Sequence, residues 1–164
     1  MGTPRKRSLP LALTILERAR ATGHAPTVDG ARRTLGGRMT SEAGVGRIVT
    51  VETQAGRALG VMLFASRAEC DVLTEEGAVR RTKPERVATY LGEAPSELAR
   101  IAADAIAFGA LMEGDRVRFE AKGELAEGTL VEKCRYGGLV LRESGKIVAV
   151  GFRSLSALSR KPPS

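Results

Sequence analysis

The stretch EGDRVRFEAKGELAEG, Glu113 to Gly128, decides how the rest of the chain reads. A Gly-Asp turn at Gly114-Asp115 opens an alternation that sets Val117 and Phe119 on one face and Arg116 and Arg118 on the other. Alternation at period two marks a strand with one buried face. The pattern breaks, as a hairpin requires, and then reaches Gly128, where a missing side chain lets a strand bend or another backbone approach.

A blurred copy of this phrase begins at Gly46. Shifted by 68 residues without a gap, Gly46–Val87 lies on Gly114–Leu155. Identities fall at Gly46/Gly114, Val49/Val117, Glu52/Glu120, Gly60/Gly128, Arg67/Arg135, Val72/Val140, Leu73/Leu141, Glu75/Glu143 and Gly77/Gly145. Retention of the glycines that start or punctuate strands identifies an internal duplication. Each copy reads as short strands: one around Val49 and Val51 (Val117 and Phe119), a second through Gly60 (Gly128), a third at Cys70–Thr74 (Gly138–Arg142). A turn at Glu76-Gly77 (Ser144-Gly145) leads to a fourth at Val79–Thr82 (Ile147–Val150), and KPERV or FRSL closes the unit.

Four or five strands in about 45 residues, with a bent second strand and a helical closing turn, resemble the SH3-like class of small barrels that includes Tudor and KOW modules. Gly114-Asp115, Val117, Gly128, Gly145 and Leu155 carry that resemblance. The first copy, GRALGVMLFASRAECDVLTEEGAVRRTKPERVATYLG, is also similar to the small non-catalytic barrel at the front of ribonuclease II/R-type exonucleases. The catalytic acidic cluster of those enzymes has no counterpart here, so this likeness implies RNA contact without cleavage.

A unit this small buries too little to stand well alone. Between the copies, APSELARIAADAIAFGALM places Leu98, Ile101, Ala105, Phe108 and Met112 on one helical face, an expected core stripe that would hold two barrels together. A second helix is expected at Pro10–Thr22, stopped by Gly23. From His24 to Gly44 the chain reads as a linker or flexible arm, with His24 a bystander. The expected fold is therefore mainly β: a basic arm with one short helix (1–45), barrel 1 (46–91), a linker helix (92–113), barrel 2 (114–158) and a basic tail (159–164).

The formal charge of +7 is uneven. Residues 1–45 hold eight Lys/Arg against three acids, a surplus of five, whereas residues 46–91 hold seven against six. Such arms commonly meet phosphate polymers, because each neutralised phosphate releases counterions; a basic arm that only aids solubility is the competing reading. Arg5, Lys6, Arg7, Arg32, Arg33 and Arg38 are the candidate phosphate contacts. In the second copy Arg116, Arg118, Lys133, Arg135, Tyr136 and Arg153 interleave basic groups with an aromatic near loops, a pattern suited to single strands. Tyr136, beside two glycines, is read as exposed, and Phe152 as packed. Glu52 and Glu120 are expected to accept hairpin hydrogen bonds or to pair with Arg67 and Arg135.

Enzyme chemistry finds no motif: no phosphate loop ending in Lys-Ser/Thr, no GxSxG, no metal-spaced His pair. Cys70 and Cys134 are single, with His24 the one imidazole, so no zinc site or other cofactor is expected; two reduced, partly buried thiols are expected ahead of a disulfide. No run approaches the roughly 20 apolar residues of a membrane span, and Glu17, Arg18 and Arg20 cut short the apolar run near the N-terminus, which points to the cytoplasm. Arg usage in an Ala- and Gly-rich background suggests a high-GC bacterial genome. The expected function is non-enzymatic binding of nucleic acid, RNA or a ribonucleoprotein ahead of DNA. The rival is a protein adaptor that docks a partner on apolar positions such as Ile48 and Met62.

Overall fold

A computed structural model of the chain describes residues 28–121 and 123–158. The helix expected at Pro10–Thr22, His24 and the basic tail lie outside them. Helix α1 (Val28–Thr34) comes first, followed by β1 (Ile48–Thr53), β2 (Gly56–Ala65), β3 (Cys70–Thr74), β4 (Val79–Thr82) and β5 (Val87–Thr89). Helix α2 (Ser96–Ala110) leads to β6 (Arg116–Ala121), β7 (Glu124–Cys134), β8 (Gly137–Arg142), β9 (Ile147–Gly151) and β10 (Leu155–Ala157). Three-residue helical turns, Pro84–Arg86 and Phe152–Ser154, precede the last strand of each copy.

The duplication is visible in the hydrogen-bond register. Val49 faces Gly60 across β1 and β2, and Val117 faces Gly128 across β6 and β7. The register shifts between Met62 and Phe64 in one copy and between Leu130 and Glu132 in the other. A bulge at the same place bends both long strands. A β-carbon on Gly60 would stand 2.7 Å from the Leu73 carbonyl oxygen, and one on Gly128 2.6 Å from that of Leu141. Both glycines exist because a neighbouring backbone occupies that space.

Closure into barrels is not found. Each copy is an open five-stranded antiparallel sheet, in the orders β4-β3-β2-β1-β5 and β10-β6-β7-β8-β9. The outer strands of each sheet do not pair with one another, so the SH3-like, Tudor- and KOW-type expectation is corrected, and the likeness to the ribonuclease barrel falls with it. The physical reason lies in how the apolar faces are covered. Val61, Leu63 and Leu73 of the first sheet and Val117, Leu130, Val140, Val148 and Val150 of the second join the buried face of α2 in one core. The first sheet keeps a smaller cluster of its own in Val49, Val51, Met62, Cys70 and Val72. The outer strand β5 has only three residues and pairs with β1 alone.

Helix α2 buries Leu98, Ile101, Ala102, Ala105 and Phe108, as the stripe required. It ends at Ala110, so Met112 falls beyond it and is 67% exposed; Leu111 turns inward in its place. Phe108 meets Phe152 of the second copy with ring centroids 6.4 Å apart, and Phe152 is buried as expected.

Part of the stretch read as a flexible arm, residues 28–35, instead packs on the second sheet. Ala31 and Leu35 are buried against Cys134, Leu139 and Ala149 of the second sheet. Seven residues are too few for an isolated helix in water, so α1 forms because it docks. Phe108→Ala should lower unfolding free energy by about 3–5 kcal/mol in urea titration, because the ring is buried between the sheets; a loss below about 1 kcal/mol would show that α2 is only a spacer.

Candidate nucleic-acid interface and the clasp between the sheets

Asp71 is the second residue of β3, with none of its surface exposed. A buried carboxylate is tolerated only when charge and hydrogen bonds surround it. Arg81, opposite it on β4, donates from Nε to Oδ1 at 2.9 Å and from Nη2 to Oδ2 at 3.2 Å. The remaining donors come from the second sheet. The Tyr136 hydroxyl donates to Oδ2 at 2.8 Å, and Arg135 Nη1 reaches the same oxygen at 3.3 Å and Glu69 at 2.8 Å. The Arg135 guanidinium also lies over the Phe64 ring, 3.7 Å from its centroid, a favourable cation–π placement. Burial, then the Asp71 charge, pushes the Tyr136 phenol upward, so it stays a donor. The turn between β7 and β8 is thus a clasp on the first sheet.

That turn is held from behind by α1 and the segment after it, together called the strap. Tyr136 N–H donates to the Leu35 carbonyl at 2.9 Å, Arg135 N–H to Gly37 at 3.0 Å, and Met39 N–H to Lys133 at 2.9 Å. Gly36 permits the approach: it has φ +84°, and a β-carbon there would stand 2.6 Å from the Tyr136 ring. Arg32 forms a two-point pair with Glu132, at 2.5 and 2.9 Å, and also meets Asp29 at 2.6 Å. The Arg32 hydrogen bond holds the Glu132 carboxyl below its ordinary range, against the opposing effect of burial. Lys133, almost fully buried, donates to the carbonyls of Gly109 at 3.1 Å and Leu111 at 2.8 Å, and pairs with Glu42. A cation on those carbonyls caps the C-terminal end of α2.

Of the residues expected to contact nucleic acid, then, Lys133, Arg135 and Tyr136 are joined to partners inside the protein. The exposed reading of Tyr136 is corrected, because its hydroxyl is needed by Asp71. Arg116 and Arg118 stand on the open face of β6, about half exposed at 47% and 48%. Glu127 lies 3.9 Å from Arg116 and 3.8 Å from Arg118, and Glu143 lies 3.8 Å from Arg116. Their charge is therefore locally offset. Arg153 pairs with Asp104 at 3.1 Å. Arg33 is exposed on α1, and Arg38 is 62% exposed with Glu113 3.9 Å away. Arg5, Lys6 and Arg7 lie outside the described residues. Met62 is 5% exposed and so is not available as a docking surface, and Ile48 packs partly buried against the shared core. Arg135 pairs with Asp71 and Glu69, in place of the expected Glu120.

Sequence reasoning missed Asp71 and Glu132, yet the repeat contains the signal. Shifted by 68, Leu139 falls on Asp71, Ala149 on Arg81 and Cys134 on Ser66. The patch that takes Ala31 and Leu35 in the second copy is the patch that takes Arg135 and Tyr136 in the first. One face of the repeat has become an apolar dock and its counterpart a charged one.

Both cysteines are buried free thiols, and burial, then the Glu132 charge, pushes Cys134 up to about 12. Among the described residues no group of three or more His, Cys, Asp or Glu is placed to hold a metal ion, and no helix is long and apolar enough to cross a membrane. No protein-family model matches the chain, and a search of curated proteins finds no significant match.

Asp71→Ala should cost about 3–5 kcal/mol, because it leaves two guanidinium groups and a phenol facing one another without their acceptor. Urea unfolding of the native protein and this variant measures it; a loss under about 1 kcal/mol would show the clasp to be incidental.

Proposed function

We propose that the protein is a non-enzymatic, cytoplasmic nucleic-acid-binding accessory protein, with RNA or a ribonucleoprotein as its partner, and that its basic N-terminal arm makes the principal contacts. The observation that carries this reading is where unneutralised charge remains. Residues 1–45 have eight basic groups against three acids, while the arginines on the open sheet face stand beside Glu127 and Glu143. Docking of α1 gives such an arm a fixed base, with Arg33 and Arg38 turned outward. Fixing one end of a charged segment lowers the ordering cost of binding. Free thiols at Cys70 and Cys134 fit a reducing compartment. The adaptor alternative would need a surface other than Met62.

Truncation of residues 1–45 would remove α1 and its packing, so charge neutralisation in the full chain is the cleaner test. Replacing Arg5, Lys6, Arg7, Arg33 and Arg38 by Gln should weaken binding to single- and double-stranded RNA and DNA alike. The log–log salt slope should flatten by roughly 0.7–0.9 per lost phosphate contact. Arg116→Gln with Arg118→Gln should change the slope by less than one contact. Intact protein that binds none of these polymers in a salt-dependent way would refute the proposal.

A further inference from the structure

We propose that the docked strap is autoinhibited: Glu132 occupies the place of a nucleic-acid phosphate on Arg32, so polyanion binding and docking of α1 on the second sheet compete. This rests on the nucleic-acid reading above and adds its regulation. Three observations carry it. First, the pair is bidentate, with Nε and Nη2 of Arg32 each on its own oxygen of Glu132; guanidinium groups take phosphate in that same two-point geometry. Second, the repeat shows that the carboxylate is not needed to build the sheet. The residue at the same register position in the first copy, where no strap docks, is Phe64. The acid therefore belongs to the strap contact and not to the fold of the repeat.

Third, α1 itself is short and lightly buried, whereas the backbone bonds at Leu35, Gly37 and Met39 hold the segment after it. Only Ala31 and Leu35 are buried from the segment between Val28 and Leu35, and the Arg32 side chain keeps 31% of its surface exposed beside exposed Arg33. Elements with few buried contacts open at much lower free energy than the core. A polyanion arriving at Arg33 and Arg38 meets Arg32 next, and a phosphate that displaces Glu132 gains a cation the closed form withholds. Glu113, 3.9 Å from exposed Arg38, is a second and looser carboxylate of the same kind.

The test uses the full chain, a short polyuridylate oligonucleotide as probe, and trypsin cleavage after Arg32 and Arg33 as the readout of undocking. Glu132→Gln should speed that cleavage, tighten binding at low salt and steepen the log–log salt slope by about 0.7, the equivalent of one further phosphate contact. Arg32→Gln added to Glu132→Gln should abolish the gain. Leu35→Ser weakens docking without touching any charge, and should steepen the slope in the same way. Variants that are cut faster but keep the native slope would overturn the proposal. So would unchanged cleavage in both, since the strap would then not depend on these contacts. Native binding that is salt-dependent, with no gain in either variant, sinks the autoinhibition alone. Absence of binding in the native protein and in both variants sinks the nucleic-acid reading with it.

Discussion

The Asp71 carboxylate has no exposed surface and sits in a strand whose five residues are all buried, so its charge must be answered inside the protein. Arg81 answers part of it from the same sheet. The rest comes from Arg135 and Tyr136, which belong to the other repeat. Their turn is in turn braced by backbone bonds from Leu35 and Gly37. A chain of dependence thus runs from the strap, through the β7–β8 turn, to β3 of the first sheet. Together with the core built around α2, it makes two open sheets into one body.

Duplication explains why this arrangement is asymmetric. The two copies share strand order, bulge position and the close backbone approach at Gly60 and Gly128. Their outer faces have diverged. In the second copy, Cys134, Leu139 and Ala149 form an apolar seat for α1; in the first, Asp71 and Arg81 form a polar seat for the clasp. Neither seat is filled by its own repeat. Open sheets with uncovered apolar faces would expose hydrophobic surface and unpaired edges, and here that surface is closed by helix and by neighbour.

The parts legible in the sequence were those set by local pattern. Val49 opposite Gly60, and Val117 opposite Gly128, follow from alternation and from glycines at fixed spacing; the α2 stripe follows from its 3.6-residue period. Barrel closure was not legible, because it turns on whether outer strands of three to five residues meet at an edge, and no residue pattern encodes that. Helix α1 was hidden for a related reason: with Ala31 and Leu35 as its buried anchors, its stability comes from docking and not from propensity. Met112 was misplaced because the helix stops two residues early, where Lys133 from a distant strand takes the last carbonyls. Lys133, Arg135 and Tyr136 looked like a surface cluster because sequence shows charge and aromaticity but not the carboxylates waiting across the fold. The mismatch of Asp71 with Leu139 in the repeat was the available clue.

Joined by the clasp and by α2, the two repeats are expected to fold and open as one unit. Native-state hydrogen exchange tests it most directly, by comparing amides of β2 and β3 with those of β7 and β8 at low denaturant. A single unit predicts that the slowest amides of both sheets exchange with the same opening free energy and the same denaturant dependence. Exchange from one sheet through a separate, lower-energy opening, while the other stays protected, would contradict it.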